Sequence, residues 1–197
     1  DSGAGDPIVV NQGDTEHEEG YFVAGEILRN RQQGRRYDDH AILYRTNAQS
    51  RVVEEVLIKS EIPYQIVGGT KFYDRKEIKD ILAYLRLVSN PDDDISLERI
   101  VNVPKRGIGD TTVAKLLEEA AERGMSAYRL LGDLMFGQDI TARARGALTE
   151  FRELVANLSA MAEYLSVTEL TEKMLEMTGY REELQRENTL ESKARLE

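Results

Sequence analysis

The stretch best suited to hold a charged ligand is Pro104-Lys105-Arg106-Gly107-Ile108-Gly109-Asp110-Thr111-Thr112. Two glycines flank one apolar residue, and a helical pattern follows at once. Without Cβ atoms, Gly107 and Gly109 let the backbone approach a ligand closely. The free N–H groups at the start of the next helix can then hold a phosphate oxygen. Ile108 anchors such a turn by burying its side chain. Lys105 and Arg106 add positive charge, and Thr111 and Thr112 add hydroxyl donors. This is the logic of a helix-hairpin-helix contact, which grips backbone phosphates and reads no bases. A plain helix-helix turn with a glycine cap fits the same residues.

A second candidate is Arg45, with Asn47, Gln49 and Arg51 close by. Arg45 and Asn47 follow an apolar run, at the carboxyl end of a predicted strand, where α/β folds tend to bind ligands. An arginine and an amide there suit a phosphodiester. A capped helix start, with Asn47 or Ser50 as the cap, is the alternative.

Other candidates are weaker. Gly68-Gly69-Thr70-Lys71 is glycine-rich but lacks the spacing of a nucleotide-binding loop and reads as a turn. No Gly-Lys-Ser or Gly-Lys-Thr loop occurs. His17 and His40 are isolated and read as surface residues. Asp92-Asp93-Asp94 lacks the alternating ligands of a calcium loop and reads as a solvated cap.

Elements must position these residues. Apolar runs at 7–10, 41–44 and 64–67 predict three short strands, with helices between them. Thr15 and Glu18 have capping-box spacing, and Gly34 ends the first helix. From Asp74 onward only helical spacing is found: Ile78, Ile81, Leu82, Leu85 and Val88; Ile95 to Val101; Val113, Leu116, Leu117 and Ala120; Leu148, Phe151, Leu154, Val155, Leu158 and Ala162; Val167, Leu170 and Met174. The predicted fold class is α/β followed by all-α. Residues 1–72 form part of a parallel sheet too small to close alone, and residues 73–197 form a helical domain.

Composition sets bounds. The chain has 197 residues, 41% hydrophobic, enough for a core of its own. It has no cysteine, which excludes disulfides and thiolate metal sites. No apolar run is long enough to span a bilayer. The net charge of -10, from 26 basic and 36 acidic residues, opposes DNA binding by the surface as a whole and leaves room only for a local basic patch. The chain opens on Asp1 and not on Met, so it reads as beginning inside a longer product or after processing.

Three segments, in order, resemble the UvrD/Rep group of superfamily 1 DNA helicases: Ala41-Ile42-Leu43-Tyr44-Arg45-Thr46-Asn47-Ala48-Gln49-Ser50-Arg51, Gly68-Gly69-Thr70-Lys71-Phe72-Tyr73-Asp74-Arg75-Lys76-Glu77-Ile78-Lys79-Asp80, and Arg99-Ile100-Val101-Asn102-Val103-Pro104-Lys105-Arg106-Gly107-Ile108-Gly109. The resemblance implies that residues 1–72 belong to the second RecA-like motor domain (2A), and residues 73–197 to its helical insertion (2B), incomplete at the C-terminus. It implies a cytoplasmic enzyme that hydrolyses ATP with Mg2+ and moves 3′ to 5′ along single-stranded DNA.

On that pattern Arg45 and Asn47 touch the single strand. Lys105, Arg106, Gly107, Ile108, Gly109, Thr111 and Thr112 touch duplex. Residues 72–79 lie near a swivel. The P-loop, the Walker B acids and the later motifs are missing, so ATP and Mg2+ would be held by the remaining helicase domains. The piece alone should be inactive. The helical domain also suits docking of an activator protein, and a purely non-catalytic docking module is the other reading.

Overall fold

The computed structural model describes residues 5, 7–67, 69, 71–133, 136 and 140–196. The chain divides into two compact units, Asp1–Asp74 and Arg75–Leu196.

The first unit is built on two helices, α1 (Glu16–Gln32) and α2 (Asn47–Lys59). Thr15 caps α1 by accepting from the Glu18 N–H, and the Glu18 carboxylate reaches back to the Asp14 N–H at 2.8 Å. One of the orphan donors at the helix start is thereby satisfied, and the residue before the cap is tied to the first turn. Gly20 packs on Val56 so closely that a Cβ there would lie 3.0 Å from its Cγ2. The core is Ala24, Ile27, Val56, Leu57 and Ile62, with Val23, Tyr37, Ile42, Val53 and Tyr64 at its margin. Buried Glu54, on α2, accepts from the Tyr64 hydroxyl and the Phe72 N–H, each at 3.2 Å. It thus ties down the segment that leaves the helix pair.

The expected three-stranded sheet is not there. Among the described residues the first unit has two α-helices and two 3-10 turns, Tyr37–Asp39 and Phe72–Asp74, and no strand. Runs 7–10, 41–44 and 64–67 form no ladder. Ile8, Val9, Val10, Leu43 and Val67 are exposed. Apolar β-branched runs record fitness for a pleated, half-buried surface, not the presence of a neighbour. A strand exists only when its N–H and C=O groups find one. The predicted turn residues Gly68 and Thr70 lie outside the described residues.

The second unit is helical: α3 (Lys76–Ser89), α4 (Asp94–Ile100), α5 (Asp110–Glu122), α6 (Ala127–Leu130), α7 (Ala142–Met161), α8 (Val167–Thr178), α9 (Tyr180–Glu187) and α10 (Leu190–Leu196). Tyr84, Leu87, Leu97, Ile100, Ile108, Leu116, Leu130, Phe151 and Leu158 are sealed from solvent in one core. Each large apolar side chain so buried is worth roughly 1.5–3 kcal/mol.

Acids organise the edges of this unit. Asp93 caps α4 through the Ser96 N–H, Asp92 accepts from Ser126 and Arg129, and Asp94 accepts from the Ala127 N–H. The Asp92-Asp93-Asp94 run therefore caps one helix and staples α4 to α6. Asp80, with a side chain only 2% exposed, takes Lys76 and Arg99 at 2.8 Å each and the Tyr180 hydroxyl at 2.7 Å. Burial, and then the Asp80 carboxylate, hold the Tyr180 hydroxyl far above its ordinary range. Gly179, at φ +68, lets the chain turn from α8 into α9.

Candidate nucleic-acid interface

The turn is held from within. Asn102 Oδ1 accepts from the Arg106 N–H at 2.8 Å and from the Ile108 N–H at 3.3 Å. Arg106 bends inward. Its Nη1 donates to the carbonyls of Ile100, Val101 and Pro104 at 3.0–3.2 Å, and its Nη2 donates to the Tyr84 hydroxyl. Tyr84 in turn donates to the Val103 carbonyl. The guanidinium also lies 5.2 Å from the centre of the Phe151 ring, a cation–π contact. Ile108 is 1% exposed and sits in the core. Burial holds the Tyr84 hydroxyl above its usual range, against the opposing pull of Arg106, so it stays a neutral donor.

What the turn presents outward is backbone. Gly107 is exposed with φ +78, a left-handed conformation that side chains resist. Gly109 is the N-cap of α5, and no side chain caps that helix. The amides of Thr112 and Val113 bond to the Gly109 carbonyl. The Asp110 and Thr111 amides have no acceptor among the described residues, which leaves two donors at the positive end of a helix. Lys105 and Thr111 are exposed, and Thr112 is half-buried. A Cβ built on Gly107 would lie 3.3 Å from Arg143 Nη2, so an arginine from the start of α7 rests on this glycine.

Arg45 lies in the first unit. Gln49 Oε1 accepts from the Arg45 N–H at 2.9 Å and the Thr46 N–H at 3.3 Å. The N-cap of α2 is Thr46, and not Asn47 or Ser50. Asn47 opens the helix, and its side chain lies outside the described ones. The Arg45 side chain is exposed and has no hydrogen bond or ion pair among the described residues. It borders an open cavity of about 590 Å³ together with Glu16, Glu19, Val23, Leu43 and Gln49. The two candidate sites thus belong to different units.

Neither site has the donor set of a nucleotide–metal centre. The described residues contain no group of three or more His, Asp or Glu side chains fit to hold a metal ion. His17 faces Glu55 at 3.6 Å, and His40 meets the Tyr37 carbonyl. The described helices include none long and apolar enough to cross a membrane.

Comparison with known proteins decides the family. The model of the UvrD-like helicase C-terminal domain matches residues 1–186. The chain belongs to the UvrD-like helicase C-terminal domain family.

Relatives of this UvrD-like domain include the ATP-dependent DNA helicase PcrA of Bacillus subtilis (strain 168), 56% identical over 96% of the chain. The protein of the same description from Staphylococcus aureus (strain Mu50 / ATCC 700699) is 48% identical over 98%. In each case the chain spans about a quarter of the relative's length, 26%.

Two features of the UvrD-like domain's turn escape sequence reading. Arg106 looks like a phosphate ligand from its place beside Gly107, and in the structure its Nη1 turns onto three carbonyls and its Nη2 onto the Tyr84 hydroxyl. Arg143 is 36 positions away in sequence, and no local pattern ties it to Gly107. The one signal was a glycine whose neighbourhood must admit something bulky.

Proposed function

We propose that this chain supplies the DNA-contacting parts of an ATP-dependent DNA helicase that moves 3′ to 5′ along a single strand and parts the duplex ahead of it. The turn around Gly107 grips duplex backbone, and Arg45 with Asn47 contacts the translocating strand. The helical unit of residues 73–197 acts as a swivelling insertion beside a motor domain formed in part by residues 1–72. ATP and Mg2+ belong to the full-length enzyme. The residues of this chain do not fit a site for them, because the sequence has no phosphate-binding glycine-lysine loop and the described residues include no metal-binding cluster. No step of ATP hydrolysis is therefore assigned to its side chains.

The observation that carries this reading is the uncapped start of α5. A positive-φ glycine, a buried isoleucine and an N-cap without a side chain leave two amides facing outward. Such a site takes a phosphate oxygen without regard to base sequence. The 56% identity to a DNA helicase supports the choice of ligand.

Paired substitution of Lys105 and Thr111 by alanine in the full-length protein tests it. Both residues are exposed, so folding should be untouched. Duplex affinity should fall about tenfold or less, with a flatter salt dependence. ATP hydrolysis stimulated by single-stranded DNA should persist. Unchanged duplex affinity across a salt series would overturn the assignment. For Arg45→Ala the expected pattern is reversed: slower translocation on single strands with duplex binding retained.

A further inference from the structure

One end of the helical unit gathers exposed apolar side chains. Ser159 Oγ, near the end of α7, donates to the Val88 carbonyl, near the end of α3, at 3.2 Å. The next helices, α4 and α8, open just past these two ends and so start at the same place. Ser126 donates to Asp92 at 2.7 Å and brings the start of α6 there too. At this end Ile95, Tyr164 and Val167 are 83%, 72% and 72% exposed, and Met125, beside Ser126, is exposed as well. Among the described residues, the other large apolar side chains exposed in this unit are Met177, at the far end of α8, and Leu196, on α10. Exposed apolar residues scattered singly need no explanation, but four gathered at one end do.

We propose that this end of the unit docks a basic, apolar segment of a partner protein. The proposal is independent of the duplex role given to the Gly107 turn. Charge defines the partner. Glu122, three residues before Met125, and Glu163, beside Tyr164, are exposed and have no ion pair among the described residues. Hydrogen bonds from Ser126, Ser96 and Ser166 hold Asp92, Asp93 and Glu169 below the ordinary carboxylate range, so they stay anionic. The arginines at this end are already engaged: Arg123 by Glu119 and Asp133, and Arg129 by Asp92. An apolar centre with an acidic rim complements lysine or arginine around leucine or an aromatic residue. The surface is also built in advance, because Asp92 and Asp94 staple α4 to α6.

Other occupants fit less well. Nucleic acid would bring phosphates against carboxylates. A second copy would bring a chain of net charge -10 to an end that is itself acidic. The Gly107 turn rests against Arg143, at the opposite end of α7. That helix has 20 residues and is about 30 Å long, so the docking end stands apart from the turn.

The test uses the full-length protein and a synthetic amphipathic peptide of leucine and lysine, about four helical turns long. A control peptide carries glutamate in place of lysine. Fluorescence anisotropy should show binding of the lysine peptide and none of the control. Tyr164→Ser combined with Val167→Ser should weaken binding about tenfold. Met177→Ser, at the other end of α8, should leave it unchanged. Glu163→Lys should weaken it about threefold, by a factor that shrinks as salt is raised. These side chains are exposed, so each variant should melt like the parent. Should the double variant fail to fold, Ile95→Ser reads the same surface, with a loss of about threefold expected.

Equal affinity of the parent and the double variant for the lysine peptide overturns the proposal. So does equal affinity for the two peptides, or no binding of either. If the parent self-associates in sedimentation and the double variant does not, this end is an interface between copies and the proposal falls. It falls equally if duplex DNA displaces the peptide and binds the double variant more weakly than the parent.

Discussion

The Arg45 site and the Gly107 turn, both proposed to meet DNA phosphate, are built in two different ways. Arg45 has a pinned backbone, held by Gln49, and a free side chain beside an open cavity. At Gly107 the backbone itself is the contact surface. Everything beneath it is committed: Asn102, Arg106 and Tyr84 to hydrogen bonds, and Ile108 to the core. A site made of N–H groups cannot adapt by changing rotamer, so it must be built in advance. A site made of one long side chain can wait for its ligand. The second unit therefore invests in buried polar structure under its turn, and the first unit does not do so at Arg45.

That contrast is open to tests of decreasing size. The largest concerns the ionic centre of the second unit. Asp80→Ala would leave Lys76, Arg99 and Tyr180 without their shared acceptor. A loss of about 3–5 kcal/mol in denaturant unfolding is expected. A loss within experimental error would mean that the rigidity of this unit rests on its apolar core alone.

Next comes Gly107→Ala. The strained φ of +78 should cost about 1–2 kcal/mol, and the new methyl must also displace Arg143. An equilibrium unfolding curve identical to the parent's would show that the turn relaxes freely, which contradicts a prebuilt surface.

A third test probes the first unit by pH. Burial, and then the Glu54 carboxylate, push the Tyr64 hydroxyl up to about 12 from 10.0. The folded state favours the neutral phenol, so this contribution is complete below pH 10 and is lost as pH rises from there toward 12. Tyr64→Phe should remove it. The stability difference between parent and variant should shrink across that window, read from melting temperatures at each pH. A constant difference would mean that the Glu54 contact is not formed in solution.

The smallest expected stability change is the most instructive. Gly109 has φ -79 and ψ 157, an ordinary N-cap geometry, and a Cβ there would meet only Thr111 Oγ1 at 3.9 Å. Gly109→Ser should therefore stabilise the helix by a few tenths of a kcal/mol. The new hydroxyl would accept from the Thr111 N–H, one of the two amides proposed to take the phosphate. Stability should rise slightly while duplex affinity falls. A variant that binds duplex as well as the parent would show that those amides carry no ligand.

Much of this arrangement was legible in the residues, and the illegible parts share a cause. Helical spacing placed α3, α5, α7 and α8, and their ends followed from Asn90-Pro91, Gly124 and Gly179. The spacing of α3 was set by Ile78, Ile81, Leu82, Leu85 and Val88, of which Val88 is buried and Ile81 and Leu85 pack partly buried against the core; it did not show that Glu77, Asp80, Ala83, Tyr84 and Leu87 are buried as well. Asp80 is buried because Arg99 and Tyr180 arrive from other helices, and Tyr84 because Arg106 and Val103 need its hydroxyl. The sheet failed for the related reason that a strand pattern names no partner. The turn was found because its glycines are local. The inward contacts of Arg106 could not be read from the sequence because Tyr84 and Phe151 are distant in it.

Hydrogen exchange in the full-length protein addresses the turn most directly. If Asp110 and Thr111 donate to duplex phosphate, exchange in the peptide spanning residues 107–113 should slow when saturating duplex is added. An equal amount of single-stranded oligonucleotide should leave it unchanged. Protection that appears elsewhere in the protein while 107–113 exchanges at its free rate would contradict a phosphate grip at Gly107-Ile108-Gly109.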